Sequence, residues 1–112
     1  MSIRLTKPWC PLTAASISTM QSQLGVYELA DAAGKIVAIG YAGGRSLFGL
    51  RGELLKILEA PPHGASQYRS EINMQYLTRY RELLMVHVAD HGGLPLLNQE
   101  DPPVGLGRLS PR

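Results

Sequence analysis

The side chains in this sequence with the means to do chemistry are arginines, tyrosines and a glycine-rich turn, and the chemistry they suit is recognition of phosphate. Gly40-Tyr41-Ala42-Gly43-Gly44-Arg45-Ser46 runs into a helical stretch, where free backbone N–H groups can receive an anion. A turn is its first reading, and it matches neither a P-loop nor a dinucleotide fingerprint. Arg45, Arg51, Arg69, Arg79 and Arg81 carry planar forks suited to bidentate phosphate contacts, although most arginines of this kind simply face solvent. Tyr68, Tyr76 and Tyr80 have faces on which unpaired bases stack, but core packing is the commoner use of such rings. His63, His87 and His91 have no cysteine at ligand spacing, and His87 with His91 forms an i, i+4 helical pair without a third ligand in view. Cys10 is the single cysteine, so no intramolecular disulfide forms, as expected of a reducing compartment.

The pattern of apolar residues supplies the elements that must position these groups. Residues 1–23 read as an arm ending in a short helix, with Thr13 as its cap and Ala14, Ile17 and Met20 turned inward. Residues 24–98 read as the domain proper. Leu24–Ala30 and Lys35–Tyr41 form a hairpin across Asp31-Ala-Ala-Gly34, good turn chemistry between β-branched runs. Leu47, Leu50, Leu54, Ile57 and Leu58 mark one face of a helix that Pro61 and Pro62 stop. His63 to Ser70 reads as a loop, and Glu71 to Leu77 alternates as a third strand. Thr78 then caps a second helix running to about Asp90 and ended by Gly92 and Gly93. Residues 99–112, rich in Pro and Gly, read as a flexible tail. The expected fold is therefore α+β, a three-stranded antiparallel sheet flanked by helices in the order β-β-α-β-α.

Bulk properties narrow the partners. A chain of 112 residues with 45% hydrophobic residues has the size and composition of one globular domain with one core. A formal charge of +2 permits a phosphate-rich partner without demanding one. No run approaches the roughly 18 apolar residues that span a bilayer, and no charged-then-apolar leader opens the chain, so a cytoplasmic protein without a membrane partner is expected.

Five markers fall on the predicted elements in a familiar order: Gly25-Val26-Tyr27, Ala38-Ile39-Gly40, Arg51 opening the first helix, Glu82 in the second, and Pro95-Leu96-Leu97-Asn98. In this order, from Gly25 to Asn98, the chain resembles the GIY-YIG nucleases. It departs from them at Ala38, where the second triplet has tyrosine, and at Leu54 and Leu55, where the first helix has His or Tyr. The resemblance implies a DNA endonuclease: Tyr27 positions or deprotonates water, Arg51 holds the phosphate, and Glu82 binds one Mg²⁺ or Mn²⁺ beside the leaving oxygen. A lone carboxylate suffices for such an ion. Tyr41, near the missing tyrosine but on the opposite strand face, is the remaining candidate catalytic residue, and Gly40, Arg45 and Asn98 are the candidate substrate contacts.

Each role has a plainer counterpart. Tyr27 serves equally as a half-buried strand aromatic, and the Arg51 stem as cover for apolar surface. Glu82 can complement the helix dipole or pair with an arginine, and Asn98 can fasten the chain end by side-chain hydrogen bonds. The two departures motivate the alternative function, a non-catalytic module of the same fold that binds nucleic acid or protein.

Overall fold

The computed structural model describes residues 4–100. Its sheet is antiparallel and four-stranded, in the order β1-β4-β2-β3, formed by β1 (Cys10–Pro11), β2 (Gly25–Ala30), β3 (Ile36–Ala42) and β4 (Gln67–Ile72). The helices are α1 (Ala14–Ile17), α2 (Gly49–Glu59), α3 (Tyr76–His91) and α4 (Leu96–Glu100), with a 3₁₀ turn at Pro62–Gly64. The α+β class is as expected. The fourth strand corrects the three-stranded expectation: two residues of the arm pair with β4, a run too short to alternate visibly in sequence.

The hairpin forms at the predicted turn. Asp31 Oδ1 accepts hydrogen bonds from the N–H groups of Ala33 and Lys35, and Gly34 takes the left-handed backbone (φ 88°) that closes the loop. Leu29 opposes Ala38 while Ala30 opposes Ile36, which leaves Val37 as the extra residue of a bulge.

Strand alternation sends β2 into two cores. On one face, Leu29, Ala38 and Tyr68 pack with Leu12 and Ile17 of the arm and with Leu54 of α2, and Tyr27 lies at the edge of that cluster. On the other, Val26 and Ile39 pack with Leu5 and with Leu83 and Leu84 of α3. Complete burial of a side chain such as Leu29, Leu54 or Leu84 contributes about 1.5–3 kcal/mol. Because Leu5, Leu12 and Ile17 sit in these cores, residues 4–23 belong to the same folded body as the hairpin.

Several boundaries move. Thr13 does cap α1, its Oγ1 accepting from the Ser16 N–H, and Ile17 is buried, but Ala14 is exposed. Helix α2 begins at Gly49, leaving Leu47 78% exposed. The third strand starts earlier than its alternating stretch: β4 occupies Gln67–Ile72, so Gln67–Ser70 of the predicted loop join Glu71 and Ile72 of the predicted strand, because Tyr68 and Arg69 find partners on opposite sheet faces. Met74 is then exposed, and Tyr76 opens α3 two residues before Thr78. Helix α3 ends at Gly92 in the left-handed conformation (φ 81°), the predicted stop. Gln99 and Glu100 continue α4, so the predicted tail begins inside a helix; its remainder, 101–112, lies outside the described residues. No described helix is long and apolar enough to cross a membrane.

Candidate functional site

The sheet lies between two members of the expected catalytic set. Cross-strand neighbours share a face, so Tyr27 stands with Gly40 and Ser70, whereas Val26 stands with Glu71 on the other side. Arg79 of α3 binds Glu71 (Nε to Oε2, 2.9 Å) and also holds the Glu82 carboxylate. Glu82 is therefore anchored on the α3 side, across the sheet from the Tyr27 ring. Its carboxylate already faces a guanidinium, and a second cation would sit beside that positive charge. The arrangement at Glu82 does not fit a divalent ion, and among the described residues no three His, Cys, Asp or Glu side chains cluster as a metal site.

The hydroxyl end of the Tyr27 ring rests against Gly40. A Cβ at Gly40 would stand 2.3 Å from the Tyr27 Cζ and hydroxyl, so glycine is what lets the ring rest against β3. Burial first, then the negative charge of Glu53 and the neighbouring Tyr80, push the Tyr27 hydroxyl well above the ordinary tyrosine range. A phenol so shifted holds its proton and is a poor base. The carboxylate acting on Tyr27 is thus Glu53, which the sequence reading did not single out. Arg51 and Glu53 are two residues apart, about 200° around a helix, so they flank the Leu50–Leu54 stripe on opposite sides.

Asn98 is buried and wholly engaged: its Nδ2 donates to the Ile39 carbonyl (2.9 Å) and its Oδ1 accepts from the Ile39 N–H (2.9 Å). A side-chain amide thereby pairs the outer edge of β3 as a strand would. This is the fastening role, and it leaves Asn98 no substrate contact of the expected kind.

Tyr41 and Arg45 meet elsewhere. They line an open groove of about 620 Å³ at the end of the sheet, together with Ser46, Glu53, Tyr76 and Leu77. Tyr41, 39% exposed, stacks on Tyr76 with ring centroids 5.6 Å apart and planes 19° from parallel, and touches Tyr80 at 4.9 Å. Gly43 is required beneath this stack, since a Cβ there would come within 2.7 Å of Tyr76 Cε1. The Gly43 N–H donates to Ser46 Oγ (3.1 Å) and the Gly44 N–H to the Tyr76 hydroxyl (3.2 Å), which corrects the expectation of free amides waiting for a phosphate. Beyond the groove, Phe48 holds a left-handed backbone (φ 64°) with its ring 71% exposed, an unfavourable state for a bulky residue of the kind often found at binding sites.

A family model described as "Domain of unknown function (DUF7508)" matches residues 3–90. The chain belongs to this family. No curated protein and no solved structure matches the chain. The DUF7508 match covers the arm, the hairpin, the groove residues and nearly all of α3, and it ends before the Pro95–Asn98 segment.

Proposed function

We propose that this DUF7508 chain is a nucleic-acid-binding module of GIY-YIG-like architecture that holds an unpaired stretch of DNA in the groove beside Tyr41 without cutting it. The order β2, β3, α2, β4, α3 with the five markers supports the fold resemblance. The observation that carries the functional reading is the groove-lining Tyr41–Tyr76 stack, with Tyr41 exposed and Arg45 beside it. An aromatic face takes any base, and a guanidinium at the rim holds the adjoining phosphate. The catalytic reading has less support: burial raises the Tyr27 hydroxyl, and the Glu82 carboxylate pairs with Arg79 across the sheet.

Fluorescence anisotropy with labelled single-stranded and duplex oligonucleotides tests this. Single strands should bind more tightly, and Tyr41→Ala should weaken binding about ten- to a hundredfold, the loss of one stacked base. Arg45→Ala should lower the slope of log affinity against log salt by about 0.7. No salt-sensitive binding at low ionic strength would remove the proposal. Cleavage of the DNA in Mg²⁺ or Mn²⁺, lost on Glu82→Ala or Glu53→Ala, would replace it with the endonuclease.

A further inference from the structure

The last turns of α3 carry a second cluster, at the other end of the helix from the groove and independent of the function proposed above. His87 and His91 are one helical turn apart, their rings 4.4 Å between centroids and 34° between planes. Both line a cavity of about 340 Å³ bounded by the β2–β3 turn at Gly34–Ile36 and by Gly92–Leu96. His87 Nδ1 lies 2.8 Å from the Gly93 carbonyl oxygen. A carbonyl only accepts, so Nδ1 carries the proton, and Nε2 of the neutral ring keeps its lone pair. Fixing one ring nitrogen on a backbone carbonyl is how proteins orient a histidine that binds metal through the other.

We infer that His87 and His91 form a two-imidazole site for a divalent transition-metal ion, with water completing the shell. Imidazole nitrogens bind at about 2.1 Å, which puts ring centroids about 3.2 Å from the ion, so two rings about 90° apart around it lie about 4.5 Å apart. The observed centroid separation of 4.4 Å agrees with that spacing. Imidazole donors select Zn²⁺, Ni²⁺, Co²⁺ and Cu²⁺ over Mg²⁺. With two protein ligands, and Lys35 on the cavity wall, affinity should be micromolar rather than nanomolar.

The test is calorimetric titration of untagged, chelator-treated protein with Ni²⁺, accompanied by two-dimensional amide NMR. One equivalent should bind, with paramagnetic broadening centred on His87–Gly93 and on Gly34–Ile36, while Mg²⁺ does neither. His91 is exposed, so His91→Ala should leave the melting temperature in metal-free buffer unchanged and weaken Ni²⁺ binding at least about tenfold. His63→Ala, whose imidazole pairs with Glu100 instead, should bind as the parent does. Absence of Ni²⁺ binding at millimolar metal, broadening centred elsewhere, or equal affinity in His91→Ala would each overturn the site.

Discussion

Gly40 and Tyr27 show how a residue pair that reads as catalytic can be explained by contact alone. The glycine is where it is because a phenol ring lies on it, and any side chain there meets that ring before it meets solvent. Gly40→Ala should destabilise the fold by about 1–3 kcal/mol in urea denaturation, the usual cost of forcing atoms into a packed site. In a Tyr27→Leu background the same change should cost at least about 0.5 kcal/mol less, since the two residues share one contact. Strictly additive losses would show that the glycine answers to something other than the ring.

Among the elements, β2 is the strand on which everything depends, paired on both edges and covered on both faces. It nevertheless carries Glu28, 4% exposed, against Arg69 of β4 (Oε1 to Nε, 2.7 Å), with the Arg69 guanidinium 4.1 Å above the Trp9 ring. Burial pushes the Glu28 carboxyl above its ordinary range even though hydrogen bonding and attraction from Arg69 pull it down. Desolvation is the largest of these effects at Glu28, and for a buried pair the cost of removing both charges from water commonly offsets their attraction. Removing one partner by Glu28→Ala leaves the largely buried Arg69 guanidinium with only the Lys7 carbonyl and the Trp9 ring, and should cost about 3 kcal/mol. Replacing both, as Glu28→Met with Arg69→Met, should return stability to within about 1 kcal/mol of the parent, because apolar side chains fill the same space without desolvating charge. Chemical denaturation of the three variants decides this; a double variant as unstable as the single would mean that the charges themselves hold β2 to β4.

At the scale of the whole molecule, the buried phenol makes folding sensitive to alkali. The Tyr27 hydroxyl is raised in the folded state, so the fold disfavours the phenolate. Its contribution is complete below the unfolded value of about 10 and is lost as pH rises past it. Tyr27→Phe should flatten the fall in stability above about pH 10 relative to the parent, as measured by urea midpoints across that range; identical pH profiles would mean that the ring is solvated. Much of this architecture was legible in one dimension. The Asp31–Gly34 turn, the Leu50–Leu54 stripe, the Thr13 cap and the Gly92 stop each rest on interactions within a few residues, and local chemistry reports local structure. The start of β4 was not legible, since Tyr68 and Arg69 owe their strand to neighbours some forty residues away. The same limit governs the site. Residue types alone offered the arginines, Arg45 among them, and the rings of Tyr68, Tyr76 and Tyr80 as able to meet a nucleic acid, while the family resemblance implied Tyr27, Arg51, Tyr41 and Glu82 as a set able to cut one. Which of them share a surface depended on the side of the sheet each element covers, and that is decided by long-range packing: α3 lies against Val26, and so it carries Glu82 away from Tyr27.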